Sequence, residues 1–142
     1  MKIIDLVIVG GGSAGMAAAI QARKEGIENI LILEKEAVLG GILNQCIHNG
    51  FGLTEFKEEL AGPEYLARFV DQVKELNIPY KVNTMVTSLS KDKEITYVNN
   101  IDGEVTIKAK AIVMATGCYE RAAGAIQLPG DRCAGIMTAG TA

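Results

Sequence analysis

An α/β fold, with a parallel sheet joined to a three-stranded antiparallel meander, is predicted by three patterns in this chain. Gly10, Gly12 and Gly15 space a GxGxxG turn directly after the apolar run Ile3-Ile4-Asp5-Leu6-Val7-Ile8-Val9. A second apolar run, Ile30-Leu31-Ile32-Leu33, closes at Glu34, 19 residues after the last glycine. Beyond Pro79 the apolar residues change to an alternation of period two, the signature of half-buried strands.

The elements follow in order. Residues 3–9, 13–25 and 30–34 read as a strand, a small-residue helix (Ala14, Gly15, Ala17, Ala18, Ala19) and a second strand, which is a βαβ unit. Residues 35–62 read as irregular and glycine-rich, with Gly40-Gly41 and Asn49-Gly50, and so long a connection is more often functional than idle. Pro63 opens a helix whose stripe of Leu66, Phe69, Val70, Val73 and Leu76 is expected to cover the sheet; Asn77 and Pro79 end it. Val82 to Leu89, Glu94 to Val98 and Glu104 to Ala109 read as three strands with turns at Lys91-Asp92 and Asp102-Gly103. Ala111 to Ala115 reads as a separate, buried strand ending at Thr116-Gly117. A plain dehydrogenase half places a crossover helix where this meander sits, so the pattern points to the flavin-type variant of a Rossmann-like domain.

The glycine spacing has a chemical reading. The first glycine permits a tight strand-to-helix turn, the second lets a pyrophosphate approach bare backbone, and the third lets helix and strand pack closely. A helix opening at Ser13 aims unsatisfied N–H groups and the positive end of its dipole at the phosphates. The Glu34 carboxylate accepts hydrogen bonds from ribose hydroxyls and repels a 2′-phosphate. The competing reading is an ordinary βαβ turn without ligand; the preceding strand, the following helix and the acid at the right distance favour the dinucleotide.

Composition bounds the alternatives. The chain has 142 residues, 49% hydrophobic and 22% charged, which suits one domain with a sizeable core. Its net charge of −3 and its dispersed lysines and arginines favour neither nucleic acid nor anionic lipid as partner. The apolar stretch from Ile3 to Ile20 is interrupted by Asp5, the glycines and Ser13, so a membrane span or signal peptide is not expected and the protein is placed in the cytoplasm. Cys46, Cys118 and Cys133 are odd in number, lack a CxxC and share one histidine, which excludes a disulfide framework and a metal site as expectations. Free thiols suit a reducing compartment.

The chain resembles the FAD-binding domain of the two-dinucleotide-binding-domain flavoproteins, the pyridine nucleotide-disulfide oxidoreductase superfamily of glutathione and thioredoxin reductases. The features that carry the resemblance, in order, are Gly10 to Gly15, Glu34, the meander, and the ATG sequence Ala115-Thr116-Gly117. It implies that the first glycine turn and Glu34 hold the ADP half of FAD and that backbone near Val86 touches adenine. The cofactor-binding set it implies is Gly10, Gly12, Ser13, Ala14, Gly15, Glu34, Lys35, Gly41, Val86, Ala115, Thr116 and Gly117. Gly40 to His48 and the stretch from Tyr119-Glu120-Arg121 through Leu128-Pro129-Gly130 to Met137-Thr138-Ala139-Gly140 are similar to FAD/NAD(P)-dependent dehydrogenase subunits. These are the subunits related to hydrogen cyanide synthase, opine and sarcosine oxidases and the proteins accompanying anaerobic glycerol-3-phosphate dehydrogenase.

The departures matter equally. Disulfide reductases of the superfamily carry two cysteines after the corresponding Gly-Gly; Leu43 and His48 stand there, so dithiol chemistry is not supported. A second GxGxxG for NAD(P)H and the later Gly-Asp that holds the ribityl chain are absent in the expected spacing, and Gly130-Asp131 reads as ordinary turn chemistry. Residues 1–142 are therefore expected to be a truncated, N-terminal portion of an FAD-binding domain. A missing second dinucleotide domain, a partner subunit or a homo-oligomer would supply the rest. Cys46 and His48 are the candidate catalytic residues, because the resemblance carries their loop past the flavin ring, although packed loop positions explain them as well. Cys118 reads as a small buried side chain and Arg121 as a solvated arginine. Two functions stay open: a flavin-dependent NAD(P)H oxidoreductase that passes hydride through FAD, or a module binding FAD, ADP or NAD without turnover.

Overall fold

The computed structural model describes residues 2–119, 121, 124–127, 129–131 and 134–137. Glu120, Leu128 and Thr138 to Gly140, which carry part of the resemblance, lie outside them, as does Cys133.

The first strand, β1 (Ile3–Val9), runs into α1 (Ser13–Lys24) and β2 (Ile30–Leu33). All four residues of β2 are buried, as strands covered on both faces require. A short 3₁₀ turn (Gly41–Gln45) and a small hairpin, β3 (Asn49–Phe51) with β4 (Leu60–Ala61), give structure to the connection that sequence reads as irregular. That hairpin is held by side chains: Phe51, Phe56, Tyr65 and Phe69 form successive ring contacts with centroids 5.1 to 6.1 Å apart.

Helix α2 (Gly62–Glu75) begins one residue before Pro63, and the Ala61 N–H donates to Glu64 Oε2 at 2.9 Å, half of a capping box. It ends at Glu75 with Leu76 as C-cap; Asn77 follows at φ +49° while Ile78 N–H donates back to Val73 O, the left-handed stop that asparagine tolerates. Leu66, Phe69 and Val73 point into one core with Met16, Ala19 and Ile20 of α1 and Leu6, Ile8, Ile30 and Ile32 of the sheet. The helix expected to cover the sheet thus packs on α1 and the 3₁₀ turn, and reaches the sheet through their shared core.

Strands β5 (Tyr80–Lys81), β6 (Met85–Leu89), β7 (Glu94–Asn99) and β8 (Gly103–Met114) complete a six-stranded sheet of order β5-β2-β1-β8-β7-β6. The first four in that order are parallel; β8, β7 and β6 form the antiparallel meander. The architecture is the mixed α/β, Rossmann-like sheet that the sequence predicts. Three strand readings need correction. Val82 to Leu89 is not one strand: β6 begins at Met85, and the segment before it supplies β5, a short parallel partner of β2 that the alternation did not announce. The third meander strand and the strand before Thr116-Gly117 are one element: residues 103–108 of β8 pair with β7, and 108–114 pair with β1. The second half is also not buried; Met114 is 57% exposed, and among the described residues no strand pairs with that edge of β8 beyond Lys108.

The two faces of the sheet carry separate cores, one under the helices and one under the meander with Val7, Leu33, Ile95, Tyr97 and Ile107. Near Asp5 the strand changes face. The N–H groups of Asp5 and Leu6 both donate to Asn29 O, at 3.0 and 3.2 Å, and Ile4 packs with the meander core while Leu6 and Ile8 pack with the helices. The lysines are less dispersed than the sequence implies. Lys91, Lys93, Lys108 and Lys110 line one recess beside Ile3, with Lys110 paired to Asp5 at 2.7 Å. Among the described residues no helix is long and apolar enough to cross a membrane.

One polar network ties the meander to the rest. Asn99 Oδ1 accepts from Ile101 N and Asp102 N, and Asn99 Nδ2 donates to Asp102 Oδ2 and to Thr84 Oγ1. Lys81 Nζ donates to Asp102 Oδ2 at 2.7 Å. The Lys81 and Asn99 hydrogen bonds hold the Asp102 carboxyl below its ordinary range, and Asp102 in turn raises the Lys81 ammonium. The depressed carboxyl stabilises the fold above its unfolded pKa of roughly 3.9, and this is lost as pH falls through the folded value. The raised lysine stabilises below roughly 10.4, and this is lost as pH rises through its folded value. The urea midpoint difference between wild type and Asp102→Asn is therefore expected to be constant between these limits and to shrink below about pH 4. A difference unchanged at acid pH would remove the pair from the account.

Candidate functional site

The glycine turn shows which glycines the fold itself demands. Gly10 sits at φ +107°, and a Cβ there would overlap the carbonyl oxygen of Ala115; one on Gly15 would overlap the carbonyl oxygen of Gly10. Both positions serve the close approach of α1, β1 and β8. Gly12 differs. Its φ of −74° and ψ of −175° suit any residue, and its Cβ would meet only Gly40 O, at 3.9 Å. Bare backbone at Gly12 therefore answers no need of the chain's own packing, and the space beside it is open.

That space is a groove of about 600 Å³ at the carboxyl ends of β1, β2 and β8, where open α/β sheets take their ligands. Gly10, Gly12, Ser13, Ala14, Glu34, Lys35, Gly41, Val86, Ala115, Thr116 and Gly117 line it; Gly15 lies behind, packed on Gly10. Helix α1 opens into the groove with Gly12 as its N-cap, no side chain capping it and no acid in its first turn. Its first N–H groups have no intrahelical acceptor, so they and the dipole present an anion site.

Glu34 is 5% exposed and fully engaged with backbone: Oε2 accepts from Gly11 N at 2.6 Å and Oε1 from Glu36 N at 2.8 Å. A charge-assisted bond to each oxygen offsets part of the cost of burying the carboxylate, and each oxygen keeps a lone pair. The acid read from sequence as a ribose acceptor thus also fastens the glycine turn to the end of β2. A second brace comes from the loop after β2. Gly40 N donates to Gly11 O at 2.8 Å, and Gly40, at φ +124°, leaves no room for a side chain between Asn44 and Leu66.

Several lining residues escape a reading of the sequence. Thr84 is buried under the groove, its N–H donating to Glu34 O, and Tyr119 reaches across from beyond β8 to Glu36. Cys118 lines the groove and is exposed, not the buried side chain expected of it. Arg121 is exposed, as are Gly130 and Asp131. Cys46 and His48 are not among the groove's lining residues. Cys46 Sγ donates to Ile42 O at 3.7 Å and its carbonyl accepts from Gly62 N; the His48 ring lies 5.2 Å from Phe51, with Nδ1 3.0 Å from Asn49 O.

The pyridine nucleotide-disulphide oxidoreductase family matches residues 4–140. The chain belongs to that family. It is 32% identical to thioredoxin reductase of Ureaplasma parvum over 84% of this chain and 37% of that protein. It is 29% identical to an opine oxidase subunit of Agrobacterium tumefaciens over 97% of this chain and 28% of that protein. Among solved structures, Lactococcus lactis thioredoxin reductase superposes with a TM-score of 0.65 at 29% identity, covering 84% of this chain and 37% of that one. Bacillithiol disulfide reductase of Bacillus cereus reaches 0.70 at 23% identity over 82% and 40%, which speaks to the fold. This chain spans 37% and 28% of the length of these two curated relatives.

Proposed function

We propose that residues 1–142 are the FAD-binding, N-terminal portion of a flavin-dependent NAD(P)H oxidoreductase. The observation that carries this reading is Gly12: bare backbone, free of any packing need, faces the groove at an uncapped helix N-terminus beside a buried, pre-oriented carboxylate. In this reading the N–H groups of Ser13, Ala14 and Gly15 hold the pyrophosphate, and the free lone pairs of Glu34 hold the ribose of the ADP half. The base lies toward Glu36 and Val86, while Gly41 and the segment Ala115 to Gly117 flank the chain toward the flavin. Bound FAD supplies the hydride-accepting ring; the protein binds and orients it. Cys46 and His48 lie outside the groove's lining, so we assign them no step. The two described cysteines are free thiols and support a cytoplasmic setting.

Hydride transfer needs two rings stacked at roughly 3–3.5 Å. One GxGxxG in 142 residues provides for one dinucleotide. A second dinucleotide domain, a partner subunit or another copy of the chain would position the nicotinamide. The purified chain is expected to bind ADP and the ADP portion of FAD weakly, to hold the flavin ring poorly, and to show no rapid NADH-dependent bleaching under anaerobic conditions. Calorimetry with ADP and FAD and absorbance after NADH addition check this. No binding of either nucleotide would sink the assignment. Tight ADP binding without flavin would favour the module without turnover, and stoichiometric flavin with rapid reduction would show that the chain completes the site by itself or in an oligomer.

A further inference from the structure

Tyr119 lines the groove and meets Glu36, 83 residues away in sequence. Its hydroxyl donates to Glu36 Oε1 at 3.2 Å, Lys35 Nζ stands 4.2 Å from the centre of its ring, and the same Lys35 Nζ pairs with Glu36 Oε1 at 3.2 Å. Three side chains from two separate segments therefore meet in one closed triangle, and all three line the groove. The β2 side of this triangle is fixed: Glu36 O accepts from Asn83 N and Glu36 N donates to Glu34 Oε1. The Tyr119 side follows the end of β8, where β1 is the only strand paired with it among the described residues. One side of the triangle is tied down by backbone hydrogen bonds, and the other is held by side-chain contacts of Tyr119.

We propose that Tyr119, Lys35 and Glu36 form a clasp over the adenosine end of the groove that sets how long a nucleotide stays bound. The inference rests on the reading of the groove as a nucleotide site. The order of contacts along the groove fixes the clasp's place: phosphate at Gly12 and Ser13, ribose at Glu34, then Lys35 and Glu36 at the base. Among the described lining residues, Tyr119 is the only aromatic ring. Opening requires the cation–π contact and the hydroxyl bond to break together, and both are solvent-exposed, so the latch is weak and reversible. As a positioning device it acts on departure more than on arrival.

The test is stopped-flow dissociation and association of ADP, with FAD in parallel, on the 142-residue chain and on Tyr119→Ala, Tyr119→Phe, Lys35→Met and the Tyr119→Ala/Lys35→Met pair. Dissociation is expected to quicken roughly three- to tenfold in Tyr119→Ala, the scale of one exposed cation–π contact with one hydrogen bond. Tyr119→Phe keeps the ring under Lys35 and is expected to restore part of the lifetime. The double variant is expected to leave no faster than Tyr119→Ala, since one latch cannot be lost twice. Association rates and melting temperature are expected to stay near wild type, which a merely structural role for Tyr119 would not give. Unchanged dissociation, slower dissociation, or additive effects in the double variant would each overturn the clasp. Failure of wild type to bind ADP at all would instead overturn the nucleotide reading beneath it.

Discussion

Gly12→Val is expected to abolish binding of ADP and FAD while the domain stays folded. The backbone at Gly12 is in the extended region open to valine, and the new Cβ would find only Gly40 O, at 3.9 Å. The cost to the fold is about 1 kcal/mol, the difference between glycine and a β-branched residue at a helix N-cap. The isopropyl group would fill the space over the first N–H groups of α1, where an anion must come within hydrogen-bond distance. Gly15→Ala is the control. Its Cβ would overlap Gly10 O, so it is expected to lower stability by about 1–3 kcal/mol through overpacking at a backbone contact. Thermal unfolding and ADP titration of the two variants separate a ligand's glycine from a fold's glycine. A folded Gly12→Val that binds ADP as wild type does would show that the open space is not the phosphate's.

The parts of this fold legible in sequence were those whose signal is local. The apolar runs of β1 and β2, the glycine spacing between them and the stripe of α2 each state their structure within a dozen residues. The hairpin of β3 and β4 did not, because strands of three and two residues have no period to read; their stability comes from Phe51, Phe56, Tyr65 and Phe69 meeting across the loop. The alternation from Glu104 to Ala109 gives way to the apolar Ala111 to Ala115, which looks like one strand ending and another beginning. The chain instead runs straight on as β8, and what changes is its neighbour, from antiparallel β7 to parallel β1.

The site follows the same rule. Lys35, Glu34 and the glycines could be placed from spacing and resemblance, but what each touches could not. The double engagement of Glu34 depends on where two backbone N–H groups point, and Tyr119 finds Glu36 only because the sheet brings the end of β8 near the end of β2. The four lysines of the recess beside Ile3 come from a turn and a strand that are separate in sequence and adjacent in the sheet. Clustering of charge is a property of the fold, and a count along the chain does not contain it.

Glu34→Ala is expected to weaken ADP and FAD binding by about 1.5–3 kcal/mol, the scale of hydrogen bonds to a charged group. It is expected also to lower the stability of the ligand-free domain, because Gly11 N loses its acceptor in a buried place and Glu36 N loses one in a part-buried place. Leaving a buried donor unpaired costs about 1–3 kcal/mol. The two effects have different causes, and Glu34→Gln separates them. Glutamine keeps the volume and one acceptor oxygen, so one N–H stays satisfied while the amide NH₂ faces the other as a second donor. If the carboxylate acts by direct contact with ribose hydroxyls, affinity is expected to remain low in Glu34→Gln even where the unfolding midpoint partly recovers. If it acts by holding the glycine turn in shape for the phosphates, affinity and midpoint are expected to recover together. Calorimetry with ADP beside urea unfolding of all three proteins decides between the two roles, and dissociation constants unchanged in Glu34→Ala would take Glu34 out of the site altogether.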